Sequence, residues 1–369
     1  MSAWQTFLLG VGAATALTTL LAVLIVLAEA WIADYGEVEI TINDDKKLTV
    51  EGGKPLLATL KEQEVFIPSA CGGRGSCGLC KLKIHSGAGE LLPTETPWLG
   101  EEERRSNVRL SCQVKVKRPM RITVPDELFS VRQFRARVAR LSDLTRNIKA
   151  VTLQLLEPET IDFRAGQFIQ LETPPYELTD EPVYRAYSIA SSPSDRGSIE
   201  LEIKYVPDGI CTTYVHKYMR EGDVVIINGP YGDFGLRETD NRIIMVAGGS
   251  GMAPMRSILL HMLETGVSRP TRYYFGANVV ADLHLTDLMA HLQKRLPDFS
   301  FIPVVWKPGD DETWDGLTGL VTEVLDRELE DTSNTEAYLC GAPAMIDACV
   351  KTFSAKGLPE DRIYYDSFS

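Results

Sequence analysis

Cys71, Cys77 and Cys80 lie in one short glycine-rich run, and Cys112 follows thirty-two positions after Cys80. Four thiolates at this spacing can bind one small iron–sulfur cluster. The intervening glycines allow tight turns and bring backbone N–H groups close to the sulfurs. Disulfide bonds are a weaker alternative. A structural zinc site is also a weaker alternative, because zinc sites usually pair two short ligand knuckles and Cys112 stands alone. The run therefore predicts a 2Fe–2S cluster.

A second group of residues suits a phosphate and a flat ring. Arg185 is permanently charged and can pair with a phosphate through two hydrogen bonds. Tyr187 supplies a ring for stacking and Ser188 supplies a small hydroxyl donor, and the three residues begin one predicted strand. Alone this short pattern is weak, but it gains weight from the glycine turns that follow.

Two glycine turns each precede a helix start. The first includes Gly209, Thr212 and Thr213, whose N–H groups and hydroxyls form an anion site. The second, Gly248–Pro254, follows an apolar strand, which is the context that a pyrophosphate requires. Cys340 ends a later strand, where ligands of open α/β sheets bind, although a buried core cysteine is an alternative. In this order the motifs predict sites for phosphate groups and for a stacked flat ring.

Length and charge limit the possible functions. The chain has 369 residues, more than one ordinary domain. Its net charge of −13 argues against nucleic acid, or an anionic lipid surface, as an electrostatic partner. No role is predicted for the five scattered histidines, which are His85, His216, His261, His284 and His291.

The elements that must position these residues follow three successive patterns. Alternating apolar residues over Val38–Val50, a short helix over Pro55–Glu62 and strands around the cysteine loop predict a β-grasp domain over residues 34–127. Short strands separated by turns predict an antiparallel β-barrel over residues 128–239. Apolar strands that alternate with helices predict an α/β domain with a parallel sheet over residues 240–369. The fold class is therefore multidomain.

The N-terminal segment has a different character. The first 28 residues carry no charge, and the 24 residues from Gln5 to Ala28 are mostly apolar. As a helix this run would span about 36 Å, enough to cross a bilayer core of about 30 Å. A cleaved signal peptide is the alternative, but no Lys or Arg precedes the run. Residues 1–33 are therefore predicted to form a transmembrane anchor, and the flanking charges do not fix its orientation.

Taken in order, these motifs resemble the ferredoxin–NADP⁺ reductase superfamily. The cysteine loop resembles that of plant-type ferredoxins, with one more residue in its first gap. The N-terminal helix and the stretch Gly251–Ser257 narrow the resemblance to the F subunits of Na⁺-translocating NADH:quinone oxidoreductases. The resemblance covers essentially the whole chain. The segment between Leu171 and Arg185 is shorter than in that family, and the ending at residues 365–369 differs.

The resemblance implies three cofactors, namely a 2Fe–2S cluster, FAD and NADH. The implied cluster ligands are Cys71, Cys77, Cys80 and Cys112. The implied FAD residues are Arg185, Tyr187, Ser188, Gly209, Thr212 and Thr213. The implied dinucleotide loop includes Gly248, Gly249, Gly251 and Pro254. The residues implied at the reacting atoms are Ser188 near the flavin nitrogen, Cys340 near the nicotinamide and Phe368 over the isoalloxazine.

The implied function is electron transfer from NADH through FAD and the cluster to integral-membrane subunits of a quinone reductase. One span would hold the chain in the inner (plasma) membrane, with its other domains facing the cytoplasm. The alternatives are the reductase of a multicomponent oxygenase and a slow redox sensor or scaffold. NADH is expected rather than NADPH, because residues 277–282 contain no cation for a 2′-phosphate and Asp282 would repel one.

Overall fold

The computed structural model describes residues 3–32, 35–309 and 313–368. By its internal contacts the chain divides into two compact units. The first unit comprises Met1–Ile67 and Gly73–Asp126, and the second comprises Pro68–Gly72 and Glu127–Ser369. The short stretch that carries Cys71 therefore belongs, by its contacts, to the second unit.

Helix α1 extends over Ala3–Ile32. Alanine and leucine, which are good helix formers, dominate its sequence. Its threonines donate hydroxyl hydrogen bonds to backbone carbonyls one turn earlier. Within the described part of the chain, no helix combines the length and the apolarity needed to cross a bilayer. The transmembrane span stays a prediction, and residues 1, 2 and 33 of its range lie outside the described residues.

The first unit contains one mixed sheet with the strand order β2-β1-β5-β3-β4. The strands are β1 (Glu37–Ile42), β2 (Lys46–Glu51), β3 (Lys81–Ser86), β4 (Val108–Leu110) and β5 (Met120–Thr123). The helices are α2 (Leu56–Glu62) and α3 (Glu101–Arg105). β1 and β2 form the predicted antiparallel hairpin, and β1 also pairs in parallel with β5. Helix α2 buries Leu56 and Leu60 completely. This arrangement agrees with the predicted β-grasp domain.

A buried ion pair braces the segment between β3 and β4. The side chains of Glu95 and Arg109 are 0% and 8% exposed, and Arg109 Nη2 lies 2.6 Å from Glu95 Oε2. Glu95 also accepts hydrogen bonds from the backbone N–H groups of Leu92 and Leu110. Burial acts to raise the pKa of Glu95. The hydrogen bond from the Arg109 side chain and the two backbone hydrogen bonds outweigh burial, and they hold the pKa of Glu95 below its usual value. Both charges are therefore compensated, as burial requires.

The second unit begins with a six-stranded antiparallel sheet in the order β10-β7-β6-β11-β8-β9. Its strands are β6 (Arg132–Thr145), β7 (Ile148–Glu157), β8 (Phe168–Thr173), β9 (Val183–Ser188), β10 (Ser198–Lys204) and β11 (Val224–Tyr231). A bridge between Ile189 and Leu201 joins the two edges, so the sheet closes into the predicted barrel. Alternate residues such as Val151 and Leu153 of β7 fill its core. The short helix α4 (Ile210–Thr213) precedes β11.

The rest of the second unit is a parallel sheet in the order β15-β14-β13-β12-β16-β17. The strands are β12 (Arg242–Gly248), β13 (Thr271–Ala277), β14 (Phe299–Val305), β15 (Leu317–Thr318), β16 (Thr335–Gly341) and β17 (Ile363–Ser367). The helices are α5 (Met252–Thr265), α6 (Thr286–Arg295), α7 (Val321–Glu328) and α8 (Pro343–Ala355). Consecutive residues of β12, such as Met245 and Val246, enter two separate apolar cores. Helices pack on both faces of a parallel sheet, so both faces of the sheet must be apolar. This pattern therefore explains the α/β domain that was predicted.

Replacing Glu95 with glutamine should destabilise the first unit. The change leaves Arg109 buried without a counter-charge, which typically costs about 3–5 kcal/mol. Amide hydrogen exchange in peptides that cover residues 89–116 should accelerate by about a hundredfold or more. The wild-type contribution should be present at neutral pH and should fade as the pH falls through the lowered pKa of Glu95.

Glu101 provides the matched control for this variant. Its ion pair with Arg105 is exposed, with side-chain exposures of 80% and 81%, so Glu101→Gln should leave the exchange unchanged. Equal exchange in the two variants would show that the buried pair does not stabilise the unit.

Candidate functional site

The predicted cluster ligands lie before β3 and just after β4. Cys77, Cys80 and Cys112 belong to the first unit, and Cys71 belongs by its contacts to the second. The neighbouring thiol of Cys112, together with burial, raises the pKa of the Cys80 thiol. Among the described residues, no three or more Cys, His, Asp or Glu side chains gather in a group that could hold a metal ion. The described geometry therefore brings together only part of the predicted ligand set.

The cysteine loop requires glycine where its backbone packs against side chains. Gly75 and Gly78 have positive φ angles of 76° and 68°. A β-carbon on Gly78 would lie 2.9 Å from the ring of Trp98, and one on Gly75 would lie 2.7 Å from the amide of Gln113. Gln113 also donates its side-chain amide to the sulfur of Cys112 at 3.5 Å. Donors directed at cysteine sulfurs are the environment that tunes an iron–sulfur cluster.

Strand β9 carries the predicted flavin residues. The Tyr187 hydroxyl is buried and has no hydrogen-bond partner among the described residues, and burial raises its pKa. An orphaned group of this kind fits a site that a polar ligand completes. Ser188 Oγ donates a hydrogen bond to the Asp366 carboxylate at 3.4 Å. Arg185 is partly buried, and its guanidinium donates to the carbonyl of Tyr184 at 2.7 Å.

The predicted phosphate turn stands at the start of α4. A β-carbon on Gly209 would lie 2.6 Å from Thr212 Oγ1. Thr212 Oγ1 accepts a hydrogen bond from the N–H of Val206 at 3.2 Å and donates one to its carbonyl at 3.1 Å. Thr213 is buried. From the loop between β8 and β9, Tyr176 donates its hydroxyl to a carbonyl of α4 at 2.5 Å. Thr212 therefore shapes the turn, while Thr213 packs inside it.

The glycine turn after β12 fits closely against the end of β16. Gly248 ends β12, and Gly249 begins a single 3₁₀ turn that leads directly into α5. A β-carbon on Gly251 would overlap the carbonyl oxygen of Cys340, so the two backbones can approach only at a glycine. Pro254 is buried in the first turn of α5, where a missing N–H costs nothing.

Lys204 lies beside this turn although no sequence motif marks it. It is the last residue of β10 in the barrel. Its Nζ would lie 3.7 Å from a β-carbon placed on Gly249. Backbone N–H groups at a helix start and a nearby ammonium group both attract a diphosphate. The strand-end position of Lys204 was the only signal available in the sequence.

The ends of β16 and β17 complete the site. Cys340 pairs with Asp366, and the N–H of Phe368 donates to the carbonyl of Gly341 at 2.9 Å. Cys340 is fully buried, and burial together with the Asp366 charge raises the pKa of its thiol. Burial raises the pKa of Asp366 to about 6, against the opposing effect of the hydrogen bond from Ser188. The structure thus gathers Ser188, Cys340 and Phe368, and it adds Asp366, which no motif marks.

Charged side chains join barrel strand β10 to helix α5. Arg256 of α5 pairs with Glu200, and its Nη1 lies 3.5 Å from Glu202 Oε1. Nε2 of His284 lies 3.5 Å from Glu202 Oε2. Ser257 donates its hydroxyl to a barrel carbonyl at 2.7 Å. This charged junction, defined by Arg256, Glu200 and Glu202 with His284 beside them, holds the helix that follows the glycine turn against the flavin barrel.

Three family models match consecutive parts of the chain. A 2Fe-2S iron-sulfur cluster binding domain matches residues 40–117, an oxidoreductase FAD-binding domain matches residues 135–235, and an oxidoreductase NAD-binding domain matches residues 245–351. These matches confirm the three cofactors predicted from the sequence and the oxidoreductase class.

Curated relatives match over nearly the full length. The F subunit of the Na(+)-translocating NADH-quinone reductase of Actinobacillus succinogenes is 34% identical, over 98% of this chain and 98% of the relative. The F subunit of the reductase of the same name from Neisseria gonorrhoeae is 33% identical, over 98% of this chain and 99% of the relative. The first alignment has 404 positions against the 369 residues of this chain, so the relative has residues without a counterpart here.

Solved structures with a similar fold include two reductases. The Amycolatopsis cytochrome P450 reductase GcoB superposes with a TM-score of 0.73 at 28% identity, covering 90% of this chain and 98% of its own. The ferredoxin reductase in carbazole 1,9a-dioxygenase superposes with a TM-score of 0.69 at 25% identity, covering 90% of this chain and 99% of its own. Both cover less of this chain than the curated relatives do. On its identity to those relatives over nearly its whole length, the chain belongs to the family of the Na⁺-translocating NADH-quinone reductase F subunits.

Proposed function

We propose that this chain is the electron-input subunit of a membrane-bound NADH:quinone reductase. The observation that carries the proposal is the contact of Ser188, on the flavin strand, with Asp366, which pairs with Cys340. Hydride transfer requires the two reacting groups to be held together, and this contact joins the flavin strand to the carboxyl end of the nicotinamide sheet. When bound, FAD supplies hydride acceptance and the 2Fe–2S cluster supplies one-electron transfer.

The residues at this contact have distinct roles in the proposal. Ser188 is buried and offers a hydroxyl donor. Asp366, once ionised, places a negative charge where a nicotinamide ring becomes positive as it loses a hydride. Cys340 is fully buried and would form a small floor, and Phe368, which packs against the same apolar core, would cover the site from water.

The remaining predicted residues hold the cofactors. The orphaned Tyr187 hydroxyl and the phosphate turn at α4 support the FAD assignment. The proposed FAD ligands are Arg185, Tyr187, Gly209, Thr212 and Thr213. The close fit at Gly251 supports a pyrophosphate turn made of Gly248, Gly249, Gly251 and Pro254, to which Lys204 adds a cation. The proposed cluster ligands are Cys71, Cys77, Cys80 and Cys112, supported by the glycine-packed loop and the 2Fe–2S domain match.

The proposed attachment to a membrane is supported by the sequence and by the similar proteins. Residues 1–28 carry no charge. The relatives are named as subunits of a Na⁺-translocating quinone reductase. From these two facts we extend to this chain a membrane anchor, integral-membrane partner subunits, a quinone acceptor and coupling to Na⁺. Residues 34–369 would face the cytoplasm of a cell whose inner membrane holds the proposed anchor over residues 1–33, because NADH is cytoplasmic.

A second candidate function is the reductase component of an oxygenase. The likeness to two solved reductases favours it, since one is named as a cytochrome P450 reductase and the other as the ferredoxin reductase in carbazole 1,9a-dioxygenase. That role does not require the uncharged N-terminal helix. Attachment to a membrane therefore separates the two candidates.

Replacing Cys77 with alanine should abolish the EPR signal of the reduced cluster. Bound FAD and NADH–ferricyanide turnover should remain, because the FAD and NADH residues lie in the second unit and Cys77 lies in the first. Cys349→Ala alters a buried cysteine of α8 outside these sites and should keep the signal. Loss of FAD from the Cys77 variant would contradict the modular assignment.

Changing Asp366 to asparagine should remove a pH dependence from NADH oxidation. In the wild type, kcat/KM for NADH with ferricyanide should rise as the pH passes through about 6, where Asp366 loses its proton. Asparagine cannot ionise, so the variant should lack this inflection and be slower by about ten- to a hundredfold above neutral pH. Because the pKa of Asp366 is raised in the folded state, ionisation of Asp366 lowers the free energy of unfolding as the pH rises. The asparagine variant should therefore be more stable than the wild type at pH 7.

The exposed Asp361 supplies the control for this variant, and Asp361→Asn should keep the wild-type profile. An unchanged inflection in the Asp366 variant would assign that titration to another group.

Deleting residues 1–33 should separate hydride chemistry from electron delivery. The shortened protein should keep FAD and the cluster and should reduce ferricyanide at the wild-type rate. It should fail to restore NADH:quinone activity to membranes that lack this subunit, because an anchor keeps the reductase at high effective concentration near its partners. If the shortened protein restored full activity at the stoichiometry of the full-length chain, the oxygenase-reductase candidate would become the better one.

A further inference from the structure

We propose that Trp306 and Lys307 form the adenosine subsite of the dinucleotide, in which Trp306 stacks on the adenine and Lys307 sets how well a 2′-phosphate is tolerated. The inference rests on the proposed oxidation of NADH by this chain. It adds a specificity site that the comparisons do not assign.

The strand order divides the dinucleotide site at β12. From β12 the sheet continues outward to β13, β14 and β15 on one side, and to β16 and β17 on the other. In open α/β sheets a ligand lies across this reversal, outside the carboxyl ends of the strands. Cys340 and Asp366 mark the side of the reacting ring. The adenosine half must then extend over the ends of β13 and β14.

The strand registers place Trp306 within reach of the pyrophosphate turn. Gly248 pairs with Gly276, and Gly276 pairs with Val304, so these residues form one row across three strands. Trp306 follows this row by two residues. With strands about 4.8 Å apart and a rise of about 3.3 Å per residue, its Cα lies roughly 12 Å from that of Gly248. An adenosine attached to a pyrophosphate at the turn extends over such a distance.

The backbone of this segment is tied to the end of β13. The N–H of Trp306 donates to the carbonyl of Ala277 at 2.8 Å, and the N–H of Lys307 donates to that of Asn278 at 3.1 Å. Trp306 is nevertheless 47% exposed, and the Lys307 ammonium lies 4.4 Å from its ring centroid. An exposed aromatic ring on a fixed backbone suits a nucleobase, because any base can stack on such a face.

Two contacts change what the sequence suggested about NADPH. Asp282, expected to repel a 2′-phosphate, is only 17% exposed and lies 3.7 Å from the guanidinium of Arg146, which offsets its charge. The backbone N–H of Lys307 binds the carbonyl of Asn278, so the Lys307 side chain begins beside residues 277–282 and would supply the cation that they lack. A single cation there would let NADPH bind, although less well than in a site built for it.

Substitution of Trp306 tests the stacking role on the full-length protein with both cofactors bound. Trp306→Ala should raise KM for NADH and the competitive inhibition constant of 5′-AMP by about tenfold each and leave kcat unchanged, because stacking adds equally to ground-state and transition-state binding. Trp306→Phe keeps a ring and should restore most of the affinity. Unchanged constants in the alanine variant, or an alanine-like phenylalanine variant, would overturn the assignment.

Charge reversal at Lys307 tests the specificity role. Wild-type protein should oxidise NADPH at a measurable rate, and Lys307→Glu should lower kcat/KM for NADPH by about tenfold or more while that for NADH changes by less than threefold. Lys294→Glu, an equal charge change on the last turn of α6, should alter neither. Equal effects on both nucleotides, or no wild-type NADPH oxidation, would overturn this role.

The two levels of the proposal fail separately. If NADH does not bleach the bound flavin of the wild type, the proposed function is wrong. If NADH bleaches the flavin but the Trp306 and Lys307 variants match the wild type, only the adenosine subsite is wrong.

Discussion

Parallel pairing of β12 with β16 is the interaction on which the redox site depends. It sets the glycine turn directly against Cys340, so closely that a β-carbon on Gly251 would overlap the Cys340 carbonyl oxygen. Because β17 pairs with β16, the same hydrogen bonds carry Asp366 and Phe368 to that end of the sheet. One backbone register therefore positions the glycine turn, the buried thiol and the carboxyl group of the proposed site. Side chains at the site add chemistry to a geometry that the backbone has already set.

The flavin barrel must also be held against this edge of the sheet, and the charged junction does so. Arg256 stands between Glu200 and Glu202, while His284 lies against the far oxygen of Glu202. Charges of this kind cost free energy when buried unless they are paired, and a pair broken on one side is strongly destabilising. The junction therefore favours one arrangement of β10 and α5. The contact of Ser188 with Asp366 depends on that arrangement, since the two residues come from the barrel and the sheet.

Features that depend on neighbouring residues could be predicted from the sequence. Alternation indicated the hairpin of β1 and β2, and the strand–turn–helix pattern indicated the glycine turn after β12. Asp366 and Lys204 could not be predicted, because strands that are distant in sequence bring each of them to the site. Strand β15 has only two residues, too few for alternation to show. The repulsion expected of Asp282 was judged from chain neighbours alone, whereas Arg146 approaches it from a turn of the barrel.

Anaerobic rapid mixing of the full-length protein with NADH tests most directly the claim that hydride enters at the flavin and that electrons reach the cluster afterwards. Flavin absorption and the cluster signal would be followed in the same reaction by stopped flow and freeze-quench EPR. We expect flavin absorption to fall first, the cluster signal to appear later at a rate independent of NADH concentration, and FAD-free protein to show no cluster reduction. Cluster reduction that precedes flavin bleaching, or that persists without FAD, would contradict this order of transfer.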